Sequence, residues 1–232
     1  MEHEELNPML PPSAAAFAAL LDQRFSCRGY LPHRVPMPTI EALLRMAQRT
    51  PSWCNSQPWQ VHVTQPVATE RLRQRLAGSA PDDTHWDIAA PAEYRGVYRE
   101  RRRACGWQLY ESVGVREGDR EASARQGAEN FRFFGAPHVA VITTEASLGT
   151  YGVLDCGAYV NNFMLAAVSM GLGAIAQAAL ASKSHILREE LALAPQRQVV
   201  VGISFGYPDL GHPANGFRTA RASSEDTAIF VD

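Results

Sequence analysis

Apolar positions along the chain follow two rhythms. Ile40, Leu43, Leu44 and Ala47 recur at i, i+3, i+4 and i+7, one face of a helix, with Thr39 as its expected cap and Pro51 as its stop. Trp59, Val61 and Val63 alternate with Gln60 and His62, the period of a strand with unequal faces. The same reading predicts helices from Ser13 to Leu21, Val67 to Ala77 with Gly78 as stop, and Tyr94 to Val113 closed by Gly114. A further helix, capped by Asp119, is predicted to run to about Phe134, and another spans Ser184 to Leu193. Val139–Thr143 and Val199–Phe205 read as strands. Asp155 is the expected cap of a helix ending at Gly171 that is apolar nearly all round and so must be covered on most sides. Ser79–Pro91 and the tail from Asp209 read as loop.

Helices outnumber strands and the strands are dispersed, which predicts an α+β fold with a mixed sheet flanked by helices. No strand is followed by G-x-G-x-x-G at a helix start, so a doubly wound dinucleotide fold is disfavoured; Gly171-Leu-Gly173 lacks the third glycine and follows a helix. With 232 residues, 46% hydrophobic and 20% charged, the composition is that of a folded chain, and the length favours one domain over 1–232. A net charge of −2 supplies no field that attracts nucleic acid or an anionic membrane, so a bound anion needs locally placed arginines. The start, MEHEELNPMLPPS, does not read as a secretory signal, and the most apolar run is too short to span a bilayer. Four cysteines without a C-x-x-C pair fit a reduced cytoplasm; Cys27, Cys105 and Cys156 read as small buried hydrophobes.

Several constellations could carry chemistry. Arg24-Phe-Ser-Cys-Arg28 sets two guanidiniums around a hydroxyl, a match for phosphate oxygens, although taken alone a solvated basic turn explains it as simply. Arg218-Thr-Ala-Arg221 is a second basic pair, by itself an ordinary surface tail. In Pro51-Ser-Trp-Cys-Asn-Ser-Gln-Pro-Trp59, Asn55 and Gln57 each offer a donor and an acceptor to a heterocycle edge, and Trp53 offers a π-face; a turn Asn and a stapling Trp are the bland alternative. Cys54 with His62 raises a thiol-protease arrangement that nothing in the spacing supports. The seven histidines are scattered without H-x-x-x-H or a Cys/His cluster, so no metal site is expected. Arg99-Glu-Arg-Arg-Arg103 near Trp107 and Tyr110 reads as a solvated helix face rather than a nucleic-acid helix.

Taken in order, these motifs resemble the FMN-dependent nitroreductases. The R-x-S-x-R turn at Arg24–Arg28 and the P-S-x-x-N-x-Q-P-W loop at Pro51–Trp59 are followed by Asn130-Phe-Arg-Phe-Phe-Gly-Ala-Pro137, the long segment Asp155–Gly173, Gly202-Ile-Ser-Phe-Gly-Tyr-Pro208 and a closing Arg-x-x-Arg. The resemblance covers about Phe17 to the C-terminus and is specific in combination, each motif alone being weak. It implies an intertwined homodimer with one FMN at each of two sites shared between the chains. On matched positions it implies that Arg24, Ser26 and Arg28, joined by Arg218 or Arg221, hold the ribityl phosphate, with Phe25 contributing backbone where relatives often carry Arg or His. Asn55 then faces the flavin ring or ribityl chain with Gln57 nearby, within Pro51, Ser52 and Trp53 of the same loop. The backbone at Ala176, Gln177 and Ala178 passes the ring. Residues 1–12 are expected to be a flexible extension. Residues 78–127 are expected to form a lid that sets the substrate, with Trp53, Tyr94, Tyr98, Trp107 and Tyr110 as candidate walls.

The implied activity is reduction of nitroaromatic or similar electron-poor aromatic compounds, with NADPH or NADH as transient donor and hydride passing through flavin N5. The flavin then carries the chemistry and no catalytic side chain is required. The same family also implies alternatives: action on enones, quinones or halogenated aromatics, or a non-catalytic FMN-binding protein. No nucleic-acid or membrane partner is expected.

Overall fold

The computed structural model describes residues 11–231 of the chain, so positions 1–10 of the expected N-terminal extension lie outside the described residues. Four strands, β1 (Gln60–Val63), β2 (His138–Glu145), β3 (Gly173–Gln177) and β4 (Arg197–Gly206), form one sheet in the order β1-β2-β4-β3. All three pairings are antiparallel, with Val61 opposite Ile142, Ala140 opposite Ile203 and Ile175 opposite Ser204. The sheet is therefore antiparallel rather than mixed, and the parallel pairing at its β3 edge is an isolated bridge, Ser26 to Ala174, outside the strands.

Helices cover both faces because β2 and β4 are apolar on both. Ala140, Ile142, Ile203 and Phe205 point to α2 (Met37–Ala47) and the long α6 (Gly149–Ser169). Val139, Val141 and Val199 point the other way, to α3 (Pro66–Ala77), α7 (Ala178–Ala181) and α8 (Ser184–Glu190). Side chains of successive strand residues alternate between faces, so a strand buried on both sides must be apolar throughout. Phe163 of α6 meets Phe205 edge-on at 5.4 Å between ring centroids, and Trp59 lies 5.0 Å from Tyr159. Burying a side chain of this size contributes about 1.5–3 kcal/mol. At Gly202 a Cβ would stand 2.4 Å from Leu180 Cδ1, so α7 approaches β4 as closely as the missing side chain permits.

The remaining helices are α1 (Pro12–Gln23), α4 (Gly96–Ser112) and α5 (Arg120–Ala128). Asp119 caps α5 as expected, its carboxylate accepting from Ala122 N–H at 2.8 Å. Other expectations need correction. Thr39 and Ser13 sit inside their helices, which begin at Met37 and Pro12 behind prolines that supply the fixed φ suited to a first turn. Asp155 lies one and a half turns into α6 rather than at its start. The helix after Asp119 ends at Ala128 and gives way to a 3-10 turn, Glu129–Gly135, in which Phe133 and Phe134 take φ of 59° and 52°. Buried Phe133 and Phe134 are held there by the core. Cys27 and Cys156 are buried, but Cys105 is exposed, since every residue of α4 is exposed or half-buried. Among the described residues no helix is long and apolar enough to cross a membrane.

Candidate functional site

Arg24 is delivered by the end of α1, where its N–H closes the last turn on Leu20 O at 3.0 Å. The chain then runs beside β3, Cys27 N–H donating to Ala174 O at 3.2 Å. Gly173 makes this possible, because a Cβ there would stand 2.7 Å from Cys27 Sγ. The C-terminal loop is fastened to the same turn by Asn215, which is buried. Its Oδ1 accepts from Arg28 N–H at 2.7 Å, and its Nδ2 donates to Gly29 O at 2.9 Å and Asp209 O at 2.8 Å. A Cβ on Gly29 would collide with the His212 ring at 2.3 Å, so the two segments lie in direct contact.

Both ends of the chain therefore bring guanidiniums together. Burial, and then the positive charges of Arg221 and Arg218, push the Arg24 pKa down. Arg218 lies over the Phe25 ring, its Cζ 4.1 Å from the centroid, and donates to Asn215 O at 2.9 Å. That contact gives Phe25 a side-chain role in orienting a cation. Arg221 donates to Thr219 Oγ1 at 2.7 Å. Arg28 is half-buried, and burial lowers its pKa as well. Among the described residues, none of these four arginines is in an ion pair with a carboxylate. Clustered cations without a counter-charge are costly, and a multiply charged anion is the ligand that relieves them.

The Pro51–Trp59 loop forms a second, separate group. Its backbone is strained, with φ of 51° at Cys54, 55° at Asn55 and 47° at Gln57. Ser52 Oγ accepts from Gln57 N–H at 2.9 Å, and Gln57 Nε2 donates to Asn55 O and Oδ1 at 3.2 Å each. Both carboxamides thus face each other across the turn, exposed. Gln48 ties the loop down, donating to Gln57 Oε1 and accepting from Trp59 Nε1, both at 3.0 Å. Asp155, mispredicted as a cap, accepts from Trp53 N–H at 3.2 Å. Trp53 lies 4.5 Å from Tyr151 and is 62% exposed. No hydrogen bond joins Cys54 to His62 among the described residues; burial and Arg197 lower the His62 pKa, leaving a neutral ring.

Within one chain these two groups do not meet. The loop sits against Tyr151 and Asp155 in the first half of α6, whereas Ser26 is bridged to Ala174, past the helix end. Asp155 and Ser169 are about 20 Å apart along the axis at 1.5 Å per residue. After α6, Ala176 is half-buried in β3 and Ala178, just past its end, is exposed. The Gln177 side chain points inward, donating to Asn130 O at 2.9 Å and accepting from the Ser204 hydroxyl, which leaves only its backbone for a ligand.

A cavity of about 640 Å³ lies between Arg28, His212 and the 3-10 residue Phe134 on one side and Val113, Asp119 and Gln126 of the 78–127 segment on the other. None of Tyr94, Tyr98, Trp107 and Tyr110 lines it. Trp107 and Tyr110 contact each other edge-on at 5.8 Å, Tyr94 lies under Arg102, and Tyr98 is exposed. Sequence reasoning missed Asn215, His212 and Tyr151. Asn215 stands in a His-Pro-Ala-Asn-Gly turn, and nothing in that string separates a buried clamp from a surface turn.

The Nitroreductase family model matches residues 21–207, from α1 through the end of β4. The chain belongs to the nitroreductase family. It is 33% identical over 226 residues to nitroreductase NfnB of Mycolicibacterium smegmatis, covering 94% of this chain and 93% of that protein. It is 30% identical over 217 residues to a 4-nitrobenzoate reductase of Pseudomonas putida, covering 93% and 95%. A crystal structure of the FMN-dependent nitroreductase NfnB from Mycobacterium smegmatis in complex with NADPH superposes with a TM-score of 0.90 at 32% identity, covering 95% of this chain and all of that one. The family assignment agrees with the R-x-S-x-R turn, the carboxamide loop and the closing arginines occurring in one order on one fold.

Proposed function

We propose that this nitroreductase-family chain is an FMN-dependent NAD(P)H oxidoreductase that reduces nitroaromatic compounds, working as a homodimer. The observation that carries this reading is the convergence of Arg24, Arg218 and Arg221 from opposite ends of the chain with no carboxylate partner among the described residues. These residues suit a phosphate monoester: three guanidiniums, the Ser26 hydroxyl beside them, and Phe25 holding one guanidinium flat. Arg28 reaches the cavity and supplies positive charge next to the ring system. Backbone groups at Ala176, Gln177 and Ala178 line the approach from β3.

Asn55, Gln57 and Trp53 sit on a loop packed against the first half of α6, whereas the arginine turn runs beside β3 past the other end of that helix. The reading therefore places the Pro51–Trp59 loop of one copy over the arginine cluster of another. Exposed Trp53, Tyr151 and Leu154 form an apolar surface on that half of α6 that suits such a contact. Residues 78–127, which carry exposed Tyr94 and Tyr98 and wall one side of the cavity, form the lid that sets the substrate.

The chemistry supplied when FMN is bound is two-electron hydride transfer at flavin N5, from NADPH or NADH and then to a nitro group, with protons drawn from water. The chain's part is to bind the phosphate, orient the ring, keep its surroundings electropositive and exclude bulk water. An anaerobic titration of the purified holoprotein with NADPH and with NADH, read at the flavin absorbance, tests this. Bleaching by either donor, reversed by adding 4-nitrobenzoate, is expected. A flavin that light reduces but neither nicotinamide bleaches would reduce the chain to a binding protein.

A further inference from the structure

The start of the lid segment is clamped to the loop between α7 and α8. His85 N–H donates to Ser182 O at 2.7 Å, while Ser184 donates to His85 O through its N–H at 3.2 Å and its hydroxyl at 2.7 Å. Lys183, almost fully buried, donates its ammonium to Ala80 O at 2.6 Å and Asp83 O at 2.5 Å and lies over the Phe131 ring. This clamp brings Asp83 and His85 against His185, 102 residues beyond Asp83 in the chain. Asp83 Oδ2 stands 3.1 Å from His185 Nε2, Asp83 Oδ1 stands 3.4 Å from His85 Nδ1, and the two imidazoles are 4.3 Å apart at their centroids. One ligating atom from each of the three falls within 4.8 Å of the other two.

We propose that Asp83, His85 and His185 form a site for a divalent late transition-metal ion, for which zinc is the probe. Bonds of about 2.0–2.2 Å to a tetrahedral zinc put neighbouring ligand atoms about 3.4 Å apart; each imidazole already meets Asp83 at 3.1 or 3.4 Å, through different carboxylate oxygens, and closing all three onto one ion draws in atoms that lie within 4.8 Å of one another. Two imidazoles and one carboxylate are a donor set that zinc, nickel and copper accept and that magnesium and calcium do not favour. The ligands are preorganised, since the backbone on either side of His85 is bonded to Ser182 and Ser184, and His185 lies in the first turn of α8. His85 is exposed, so the fourth position opens to water. Two features weaken the site. The Lys183 ammonium is close by, though turned onto two carbonyls. Ligation through Nε2 also puts the His185 proton on Nδ1, which is buried and unpartnered among the described residues. Both place it below structural zinc sites in affinity. An ion here ties the root of the 78–127 segment to α8.

Calorimetric titration of zinc chloride into full-length, FMN-loaded protein, previously stripped with EDTA and desalted, tests the site. One ion per chain is expected. Loss of an outer-sphere partner alone costs about 10–100-fold in metal affinity, so His85→Ala, which removes an exposed ligand, should weaken binding at least as much. Asp83→Asn should do likewise, and circular dichroism without zinc confirms that both variants are folded. Absence of saturable binding in the wild type overturns the proposal. So does binding that His85→Ala and Asp83→Asn leave unchanged, which would locate the ion at some other side chain.

Discussion

Replacing Arg24 with alanine separates phosphate recognition from every other part of the site. Arg24 is half-buried, and the fields of Arg221 and Arg218 both act on it, so in the proposed site it helps to hold a phosphate dianion while adding repulsion to the empty protein. A charge-assisted hydrogen bond contributes about 1.5–3 kcal/mol, and its loss should weaken FMN binding about 10–150-fold. The apoprotein should melt no lower than the wild type, because one of three uncompensated cations is gone. Flavin fluorescence titration of apoprotein, run in parallel with FMN and with riboflavin, is the assay. Riboflavin lacks the phosphate and should bind wild type and variant alike, and the FMN difference should shrink with added salt. Equal losses for both flavins would show that Arg24 shapes the ring site instead. An unchanged FMN affinity would take it out of the site altogether.

Asn215→Ala should lower the melting temperature and FMN affinity together. It leaves Arg28 N–H without a partner, at about 1–3 kcal/mol, while Gly29 O and Asp209 O keep the Asp209 and His212 N–H donors, and it frees the loop carrying Arg218; destabilisation with intact FMN binding would show that this clamp does not align the arginines. Gly202→Ala should destabilise by about 1–3 kcal/mol through overpacking on Leu180, and pairing it with Leu180→Ala should give less than the summed loss; strict additivity in urea melts would refute the contact. His138 is buried with Nδ1 donating to Thr64 O and Nε2 accepting from Val35 N–H, so the neutral ring is required, and burial pushes its pKa below 6.5. The unfolded chain binds the extra proton first. Stability should therefore be flat above pH 6.5 and fall as pH drops below it, by up to about 1.4 kcal/mol per pH unit; urea midpoints unchanged across that window would contradict the assignment.

The sequence pattern located α2, α3, α4, β1, β2 and β4 because each has a period or a stop that a neighbour cannot imitate. It missed β3, whose five residues, Gly-Ala-Ile-Ala-Gln, carry one branched side chain and owe their extended state to pairing with β4. It overran α5 because Asn130-Phe-Arg-Phe-Phe has a helix-like composition, and only tertiary packing forces Phe133 and Phe134 to positive φ. In the candidate site, the residue types that could hold an anion or a heterocycle edge, the arginine pairs and the carboxamide loop, stand out in the sequence. What joins them does not. Asn215, Gly173 and Gly29 act through close approach between segments distant in sequence, and a string of letters does not encode which segment will be opposite. The Asp83, His85 and His185 group is hidden for the same reason, its members belonging to two segments that only the Lys183 clamp unites.

The length of α6 has a genetic corollary. In the dimer proposed above, which sets the loop of one copy over the cation nest of the other, an allele crippled at Arg24 and another crippled at Asn55 damage different halves of the same composite pocket. Co-expressed, the two dead polypeptides should associate into hybrids holding one pocket with both lesions and one with neither, so activity returns from parents that separately have none.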